Sequence, residues 1–120
     1  MRLPLITVII PYYRRGDIFE RCLDSVLNQE YPRREIIVID DHSDDGLEER
    51  IAARHAEIKL ITNPANLGAC VARNRGIRTA NGEILVFIDD DMSFASPSAL
   101  AAIVDTFDAH REIAILALQV

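Results

Sequence analysis

The stretch Ile84-Leu-Val-Phe-Ile-Asp-Asp-Asp-Met92 joins an apolar strand directly to three consecutive aspartates. Two carboxylates about 4 Å apart repel by ~1 kcal/mol in water and by ~4 kcal/mol at the effective dielectric of a protein surface. Three carboxylates at the mouth of a buried strand therefore indicate a neutralising cation, and a hard divalent metal shared with a phosphate-bearing ligand is the natural candidate. The alternative is a plain acidic turn after a strand, which an isolated run of aspartates would favour.

Strands and helices alternate along the chain around this stretch. Apolar runs predict four strands, and periodic patterns bounded by Gly, Pro, Asn and Asp predict four helices. The strands are expected at 5–10, 35–39, 58–61 and 84–88, and the helices at 17–28, 47–55, 66–80 and 96–110, with a fifth apolar strand at 113–120. This alternation is typical of an α/β fold with a largely parallel sheet and right-handed crossovers.

Local signals predict how two of these helices begin. Asp17 is expected to cap the first helix with Glu20 as its capping-box partner. Ser96 followed by Pro97 predicts an N-cap with proline at the first helical position. The apolar positions of the first helix predict its inward face, chiefly Ile18, Cys22 and Val26, with Phe19, Leu23 and Leu27 beside them.

The composition limits the class of protein. The 120 residues suit one domain, and the net charge of −6 argues against nucleic-acid binding through a broad basic face. Cys22 and Cys70 are expected to be reduced residues that pack within helices. No targeting signal or membrane-spanning apolar run is visible, so we expect a location in the cytoplasm or at the cytoplasmic face of the membrane.

Residues with polar or charged side chains follow three of the predicted strands. Tyr13 comes just after the first strand, Asp40 and Asp41 follow the second, and Asp89 begins the acidic run after the fourth. Parallel strands with simple crossovers place these ends at one edge of the sheet, where ligands of open α/β sheets bind. If the first strand lies between the second and the fourth, Asp41 and Asp89 are two strand spacings apart, about 10 Å, which suits a nucleotide.

The third predicted helix contributes two arginines to this region. Arg73 and Arg75 cannot both point the same way on a helix. One of them is therefore expected to face the pocket, where it would bind a carboxylate or a ligand phosphate, and the other to be solvated. A surface helix with scattered charge is the alternative for both, and it weighs more for Arg75.

Four segments together resemble family 2 glycosyltransferases, which have the GT-A nucleotide-diphospho-sugar transferase fold. They occur in the family's order and spacing and cover nearly the whole chain. The segments are Val8-Ile-Ile-Pro-Tyr-Tyr13, Ile37-Val-Ile-Asp-Asp-His-Ser-Asp-Asp-Gly46, Asn66-Leu-Gly-Ala-Cys-Val-Ala-Arg-Asn-Arg-Gly76 and Asn81-Gly-Glu-Ile-Leu-Val-Phe-Ile-Asp-Asp-Asp91.

The resemblance implies a Rossmann-like single domain over residues 1–120 that corresponds to the donor-binding half of a longer enzyme. It implies a metal-dependent transferase, active in polysaccharide biosynthesis, that moves a sugar from a nucleotide-diphospho-sugar, expected to be a UDP-sugar, to an acceptor hydroxyl with inversion. The acceptor would be a glycan, a lipid-linked molecule or another hydroxyl compound. Membrane association would arise only through segments outside this chain.

The same resemblance implies a role for each matching residue. Pro11 and Tyr13 would line the nucleotide pocket, and Asp41, with Asp40 beside it, would accept a hydrogen bond from uracil N3–H. Arg73 would brace the nucleotide site. Asp89 and Asp91 resemble the outer residues of the family's Asp-x-Asp motif: Asp91 would bind Mg²⁺ or Mn²⁺ directly, and Asp89 would face ribose or sugar and is the second candidate metal ligand. Asp90, counted with the donor-binding residues, is expected to be a spacer.

The chain departs from the family pattern at three points. Arg14 stands where the family often has Asn, and His42 precedes Ser43 in a loop that often reads Asp-Asp-Gly-Ser. We interpret His42 as a loop residue, because no base partner for it is evident. No acidic residue after Asp91 matches the family's general base, which we expect beyond Val120, so the isolated chain is expected to transfer little or no sugar.

Two other functions remain open at this point. A receiver domain with an acid pocket for Mg²⁺ has similar length, but its Asp pair follows the first strand and it needs a Lys after a later strand. The only Lys here is Lys59, upstream of Asp89. The other alternative is a non-catalytic nucleotide-binding or interaction fragment that retains the fold. It remains open because no residue after Asp91 matches the general base.

Overall fold

The computed structural model describes residues 3–118 and confirms the alternation of strands and helices. Four strands and four helices follow one another without a break in the pattern. They are β1 (Ile6–Tyr12), α1 (Ile18–Leu27), β2 (Arg34–Asp40), α2 (Leu47–Arg54), β3 (Ile58–Thr62), α3 (Ala69–Thr79), β4 (Ile84–Phe87) and α4 (Ala99–Ala109).

The four strands form one parallel sheet in the order β3-β2-β1-β4. Ile9 of β1 is in register with Ile37 on one side and with Phe87 on the other. The first strand therefore lies between the second and the fourth, which is the arrangement on which the expected spacing of Asp41 and Asp89 depended. All four carboxyl ends emerge at the same edge of the sheet, which we call the carboxyl edge.

Both faces of β1 are buried, which explains its unbroken apolar sequence. Ile6, Val8 and Ile10 pack into the larger apolar cluster, which includes side chains from α1, α2 and α4. Ile9 faces the opposite side, where it joins a smaller cluster that contains Ala72 of α3. A strand covered on both faces cannot alternate polar and apolar residues, so it shows a continuous apolar run.

The first helix begins where predicted, but its cap and its inward face differ. Asp17 occupies the N-cap position without making a side-chain cap hydrogen bond. Glu20 does not complete a capping box there; its carboxylate lies 3.7 Å from Arg54 and 3.6 Å from His55 around α2. Ile18 is 56% exposed, because the helix turns its Phe19 face toward the sheet instead.

The third and fourth helices begin later than predicted. α3 starts at Ala69 rather than Asn66, after Gly68 with a φ of 94°. α4 starts at Ala99 with Ser98 at its N-cap position, so the expected cap at Ser96 with proline at N1 is wrong. The Ser96 hydroxyl instead accepts a hydrogen bond from the Ser98 backbone N–H at 3.2 Å.

The apolar run at 113–120 does not form the predicted fifth strand within the part that the structure describes. Residues 113–118 have no strand pairing, and residues 119 and 120 lie outside the described range. Ile115 is 89% exposed there. An apolar run becomes a strand only when a neighbouring strand satisfies its backbone groups, and no such neighbour lies beside residues 113–118.

Only one of the two cysteines packs as expected. Both are free thiols, but Cys22 is buried in α1 while Cys70 is exposed. Burial, together with the nearby charges of the Asp89–Asp91 run, raises the pKa of Cys22 to about 12. Cys22 is therefore a neutral core residue, and the expectation of helix packing is wrong for Cys70.

The helices of residues 3–118 are short. α3 and α4 have 11 residues each, which corresponds to about 16 Å at the usual rise per residue. The hydrocarbon core of a bilayer is about 30 Å thick. Accordingly, no helix within the described residues is long and apolar enough to cross a membrane.

Gly76 tests how tightly α3 packs on the sheet. A Cβ at this position would lie 2.5 Å from Cγ2 of Ile9 and 3.0 Å from Cδ1 of Ile39. Alanine normally favours a helix over glycine by about 1 kcal/mol, whereas overpacking a core costs about 1–3 kcal/mol. We therefore expect Gly76→Ala to lower the free energy of unfolding by about 1 kcal/mol, measured by urea unfolding.

Asn74→Ala provides the control, because Asn74 lies on the exposed face of the same helix. Its unfolding midpoint should equal or slightly exceed that of the wild type. A Gly76→Ala protein as stable as the Asn74→Ala protein would contradict the close packing of α3 against β1 and β2.

Candidate functional site

A cavity of about 420 Å³ opens at the carboxyl edge, between the ends of β1 and β4 and the first turns of α3. It brings together six of the seven residues that the sequence analysis assigned to nucleotide-sugar binding, as well as Asp91. The lining consists of Pro11, Tyr12, Tyr13, Arg15, Asp41, Ala69, Ala72, Arg73, Asp89, Asp90 and Asp91. The three predicted strand ends therefore converge on one pocket.

Asp40 is the candidate that the cavity does not include. It is 6% exposed, and its carboxylate accepts a hydrogen bond from the Ser43 backbone N–H at 2.9 Å. The side chain thus shapes the loop after β2 rather than facing the pocket. Any contact of Asp40 with a ligand stays a prediction.

Asp41 holds the start of α3 in place. Its carboxylate accepts hydrogen bonds from the backbone N–H groups of Leu67 at 2.9 Å and Gly68 at 2.8 Å, and from the Asn63 side chain at 2.9 Å. Free N–H groups at a helix start need such partners. Burial acts to raise the pKa of Asp41, but these three hydrogen bonds outweigh it and hold the pKa below its ordinary value.

The two arginines of α3 have different partners. Arg73 faces the cavity, where its guanidinium lies 3.3 Å from a carboxylate oxygen of Asp89. Arg75 does not line the cavity and donates hydrogen bonds to the backbone carbonyl of Thr62 at 3.0 Å and to the Asn63 side chain at 2.7 Å. Arg73 is thus the pocket arginine, and Arg75 is bound to the end of β3 rather than solvated.

The three aspartates after β4 fall into two environments. Asp90 is 6% exposed and accepts hydrogen bonds from the Tyr13 backbone N–H at 3.0 Å and from Nε of Arg15 at 2.7 Å. The side chains of Asp89 and Asp91 are 62% and 44% exposed. Asp90 is therefore more than the predicted spacer, because it ties the segment after β4 to the segment after β1.

The donor set fits a divalent cation that is shared with a phosphate. Within residues 3–118, no cluster of three or more His, Cys, Asp or Glu side chains is arranged to hold a metal by itself. Mg²⁺ is typically bound by one or two carboxylates and completed by water and substrate phosphates. Asp89 and Asp91, both exposed at the cavity, meet that requirement and would be the residues that hold the ion.

His42 lies in the loop after β2 and does not line the cavity. Its backbone has a φ of 65°, and Nδ1 lies 3.2 Å from the carbonyl oxygen of Asn63. Arg14, the other departure from the family pattern, also has a positive φ, 48°, and its backbone N–H donates to the Ser43 hydroxyl at 3.0 Å. Both residues therefore shape loops, which agrees with the interpretation of His42.

The sequence analysis assigned no site role to four cavity residues, Tyr12, Arg15, Ala69 and Ala72. Tyr12 is 1% exposed, and its hydroxyl donates to Asp45 while accepting from Arg50 at 3.0 Å. Its burial follows from period-two alternation along β1, since it continues the inward face of Ile10. No spacing rule predicts that Arg15 lines the cavity. Only its positive charge, set against the acidic run after the fourth strand, could have indicated it.

The fold and this site are those of the class of glycosyltransferases that have the GT-A fold. A mannosyltransferase from Pyrobaculum calidifontis, solved in complex with GDP-Man and Mn²⁺, superposes with a TM-score of 0.82 and 32% identity, covering 89% of this chain and 33% of that one. TarS of S. aureus, residues 1–349, in complex with UDP superposes with a TM-score of 0.81 and 25% identity, covering 89% and 33%.

The chain belongs to the glycosyl transferase family 2, whose model matches residues 7–120. YibD, an uncharacterised glycosyltransferase of Escherichia coli K12, is 44% identical over 90 residues, covering 72% of this chain and 26% of that protein. WcaA, a putative colanic acid biosynthesis glycosyl transferase of the same strain, is 36% identical over 112 residues, covering 91% and 38%. The chain therefore spans roughly a quarter to two fifths of these relatives' lengths, and the match favours a glycosyltransferase over a receiver domain.

The lowered pKa of Asp41 makes a prediction about acid stability. A carboxylate whose pKa is lower in the folded state stabilises the fold above its unfolded value, near 3.8, and this stabilisation is lost as the pH falls through the folded value. Asp41→Asn should lower the free energy of unfolding by about 2 kcal/mol at pH 7, since hydrogen bonds to a charged group are lost. The difference should shrink below pH 4 in urea unfolding measured from pH 7 to pH 2.

Asp44→Asn is the matched control, because Asp44 is an exposed residue of the same loop with a positive φ that Asn also tolerates. It should change stability little at any pH. A difference between wild type and Asp41→Asn that does not vary with pH would show that the Asp41 charge does not hold the start of α3.

Proposed function

We propose that this chain binds a nucleotide-diphospho-sugar at the carboxyl edge and forms the donor-binding part of an inverting, metal-dependent glycosyltransferase. The observation that carries the proposal is the convergence of Asp41, Arg73, Asp89 and Asp91 on one cavity. The cavity has one carboxylate that would bind the nucleobase and, at its opposite side, carboxylates that would bind a cation. Membership in glycosyl transferase family 2 supports the same function.

The nucleobase of the donor would lie between Pro11, Tyr13 and Asp41. Tyr13 is 40% exposed at the cavity and offers a ring for stacking. A carboxylate has about four acceptor positions, and the three hydrogen bonds already made by Asp41 leave one of them, on Oδ2. One base N–H can therefore bind Asp41 without displacing the donors that hold α3.

The diphosphate would lie near Asp89, Asp91 and Arg73. A bound Mg²⁺ or Mn²⁺ would offset the charge that develops on the leaving nucleoside diphosphate. Arg73 contributes a cationic donor fork to the same region and holds the Asp89 carboxylate in place. Inversion would follow from direct displacement at the anomeric carbon, with a carboxylate accepting the proton of the acceptor hydroxyl.

The described acidic residues after Asp91 do not supply that carboxylate. Asp105 and Asp108 lie on α4, Glu112 follows it, and none of the three lines the cavity. The proposal for residues 3–118 is therefore donor binding. A general base beyond Val120 stays a prediction.

The donor nucleotide is proposed to be UDP. TarS was solved in complex with UDP, which supports this choice, whereas the mannosyltransferase was solved with GDP-Man and Mn²⁺. Relatives named for colanic acid and teichuronic acid biosynthesis support an acceptor in a polysaccharide pathway. We propose that the enzyme acts in the cytoplasm or at the cytoplasmic face of the membrane on such an acceptor.

Isothermal titration calorimetry of the 120-residue chain tests donor binding. We expect UDP to bind in the presence of Mn²⁺ and to bind much more weakly in EDTA, with GDP weaker than UDP under both conditions. Asp91→Asn should weaken UDP binding with Mn²⁺ roughly tenfold or more, because even residues that merely support a metal ligand cost 10–100-fold.

Asp105→Asn removes the same charge from an exposed position on α4, outside the cavity, and should bind UDP like the wild type. Equal UDP affinity with Mn²⁺ and with EDTA would refute the metal-dependent site. Tighter binding of GDP than of UDP would refute the choice of nucleotide while leaving the site intact.

A further inference from the structure

Each carboxylate after β4 faces an arginine of the same chain. Arg73 lies 3.3 Å from Asp89, and Arg15 lies 2.7 Å from Asp90 and 3.8 Å from Asp91. Arg15 belongs to the segment after β1 and lines the same cavity. The acidic run is thus neutralised from both sides by side chains that any bound cation must compete with.

The two contacts of Arg15 differ in strength. Asp90, with a side chain only 9% exposed, is fixed by the Tyr13 backbone N–H and binds Nε of Arg15 at hydrogen-bond distance. Asp91 is 44% exposed, and its 3.8 Å separation from Nη2 of Arg15 exceeds a hydrogen bond. Exposed ion pairs of this kind contribute little, so the Asp91 contact can be exchanged while the Asp90 contact persists.

The Asp90 contact also fixes the direction of the guanidinium group. Nε is committed to Asp90, which leaves the remaining four of the five N–H donors on the two Nη atoms. Nη2 lies near Asp91, at the part of the cavity where a diphosphate would bind. A planar guanidinium held in this way is suited to phosphate oxygens.

We propose that Arg15 is an exchangeable counter-cation. Without ligand it neutralises Asp91, and when a divalent cation binds Asp91 it transfers its free N–H groups to the diphosphate while keeping its bond to Asp90. This inference rests on the proposed donor site. It implies that Arg15 weakens binding of the cation alone and strengthens binding of the nucleotide with the cation.

The two effects have opposite signs, which a merely structural role would not produce. In Arg15→Gln, Mn²⁺ alone, measured by electron paramagnetic resonance of free Mn²⁺, should bind about two- to fivefold more tightly because a competing exposed ion pair is lost. UDP at saturating Mn²⁺, measured by calorimetry, should bind roughly tenfold more weakly because charge-assisted hydrogen bonds to phosphate are lost.

Arg78→Gln removes the same charge from an exposed position of α3 outside the cavity, and both affinities should stay within about twofold of the wild type. Arg15→Lys keeps the charge but not the planar fork. It should bind Mn²⁺ alone like the wild type and UDP with Mn²⁺ more weakly.

The outcomes separate this inference from the proposed function. If the wild type shows no metal-dependent UDP or GDP binding, the donor site itself is wrong. If the wild type binds but Arg15→Gln weakens both affinities or leaves Mn²⁺ binding unchanged, the exchange is wrong and the donor site stands. Should Arg15→Gln fail to fold in a thermal melt, Arg15→Lys decides, and UDP affinity equal to the wild type would overturn the exchange.

Discussion

The parallel pairing of β1 with a neighbour on each side is the constraint on which the site depends. Ile9 pairs with Ile37 of β2 and with Phe87 of β4, so three strands end at the same edge. An antiparallel neighbour would carry its polar end to the opposite edge of the sheet. Because both faces of β1 must be covered, α3 packs on one side and the other helices on the opposite side, which places Arg73 above the carboxyl edge.

The three consecutive aspartates after β4 can be accommodated because the fold places them in different environments. Asp90 is buried and receives two hydrogen bonds, so its charge is satisfied within the fold. Asp89 and Asp91 remain at the surface of the cavity, where water and arginines reduce their mutual repulsion. Asp90 thus ties the segments after β1 and β4 together, while Asp89 and Asp91 remain exposed at the cavity.

Sequence patterns predicted the first four strands and the convergence of Asp41, Arg73, Asp89 and Asp91 on one cavity. These features follow from local signals, since an apolar run followed by aspartate places that aspartate at a strand end. The contacts of Arg15 were out of reach, because they depend on a turn in which Arg14 and Gly16 both have positive φ. The spacing of residues in the sequence does not predict the direction in which the Arg15 side chain leaves this turn.

The errors in the helices have a related cause. Ile18 and Phe19 are neighbours, and the hydrophobic pattern alone allowed either to begin the inward face. The rotation of α1 about its axis is set by the sheet beneath it, which is not a local property. The prediction of a strand at 113–120 is wrong over residues 113–118 for a similar reason, because an apolar composition does not specify whether another strand lies beside it.

The hold of Asp41 on the start of α3 has a mechanical consequence. Gly68, the N-cap residue of α3, is bonded to Asp41, and Arg73 lies four residues after Ala69, the first helical residue, about 6 Å along the helix axis. A helical segment, rather than a loop, therefore fixes the separation between Asp41, which is proposed to face the nucleobase, and Arg73, which is proposed to face the phosphates. The pocket accordingly has a set length, and a ligand whose two ends are spaced differently can satisfy only one of them at a time.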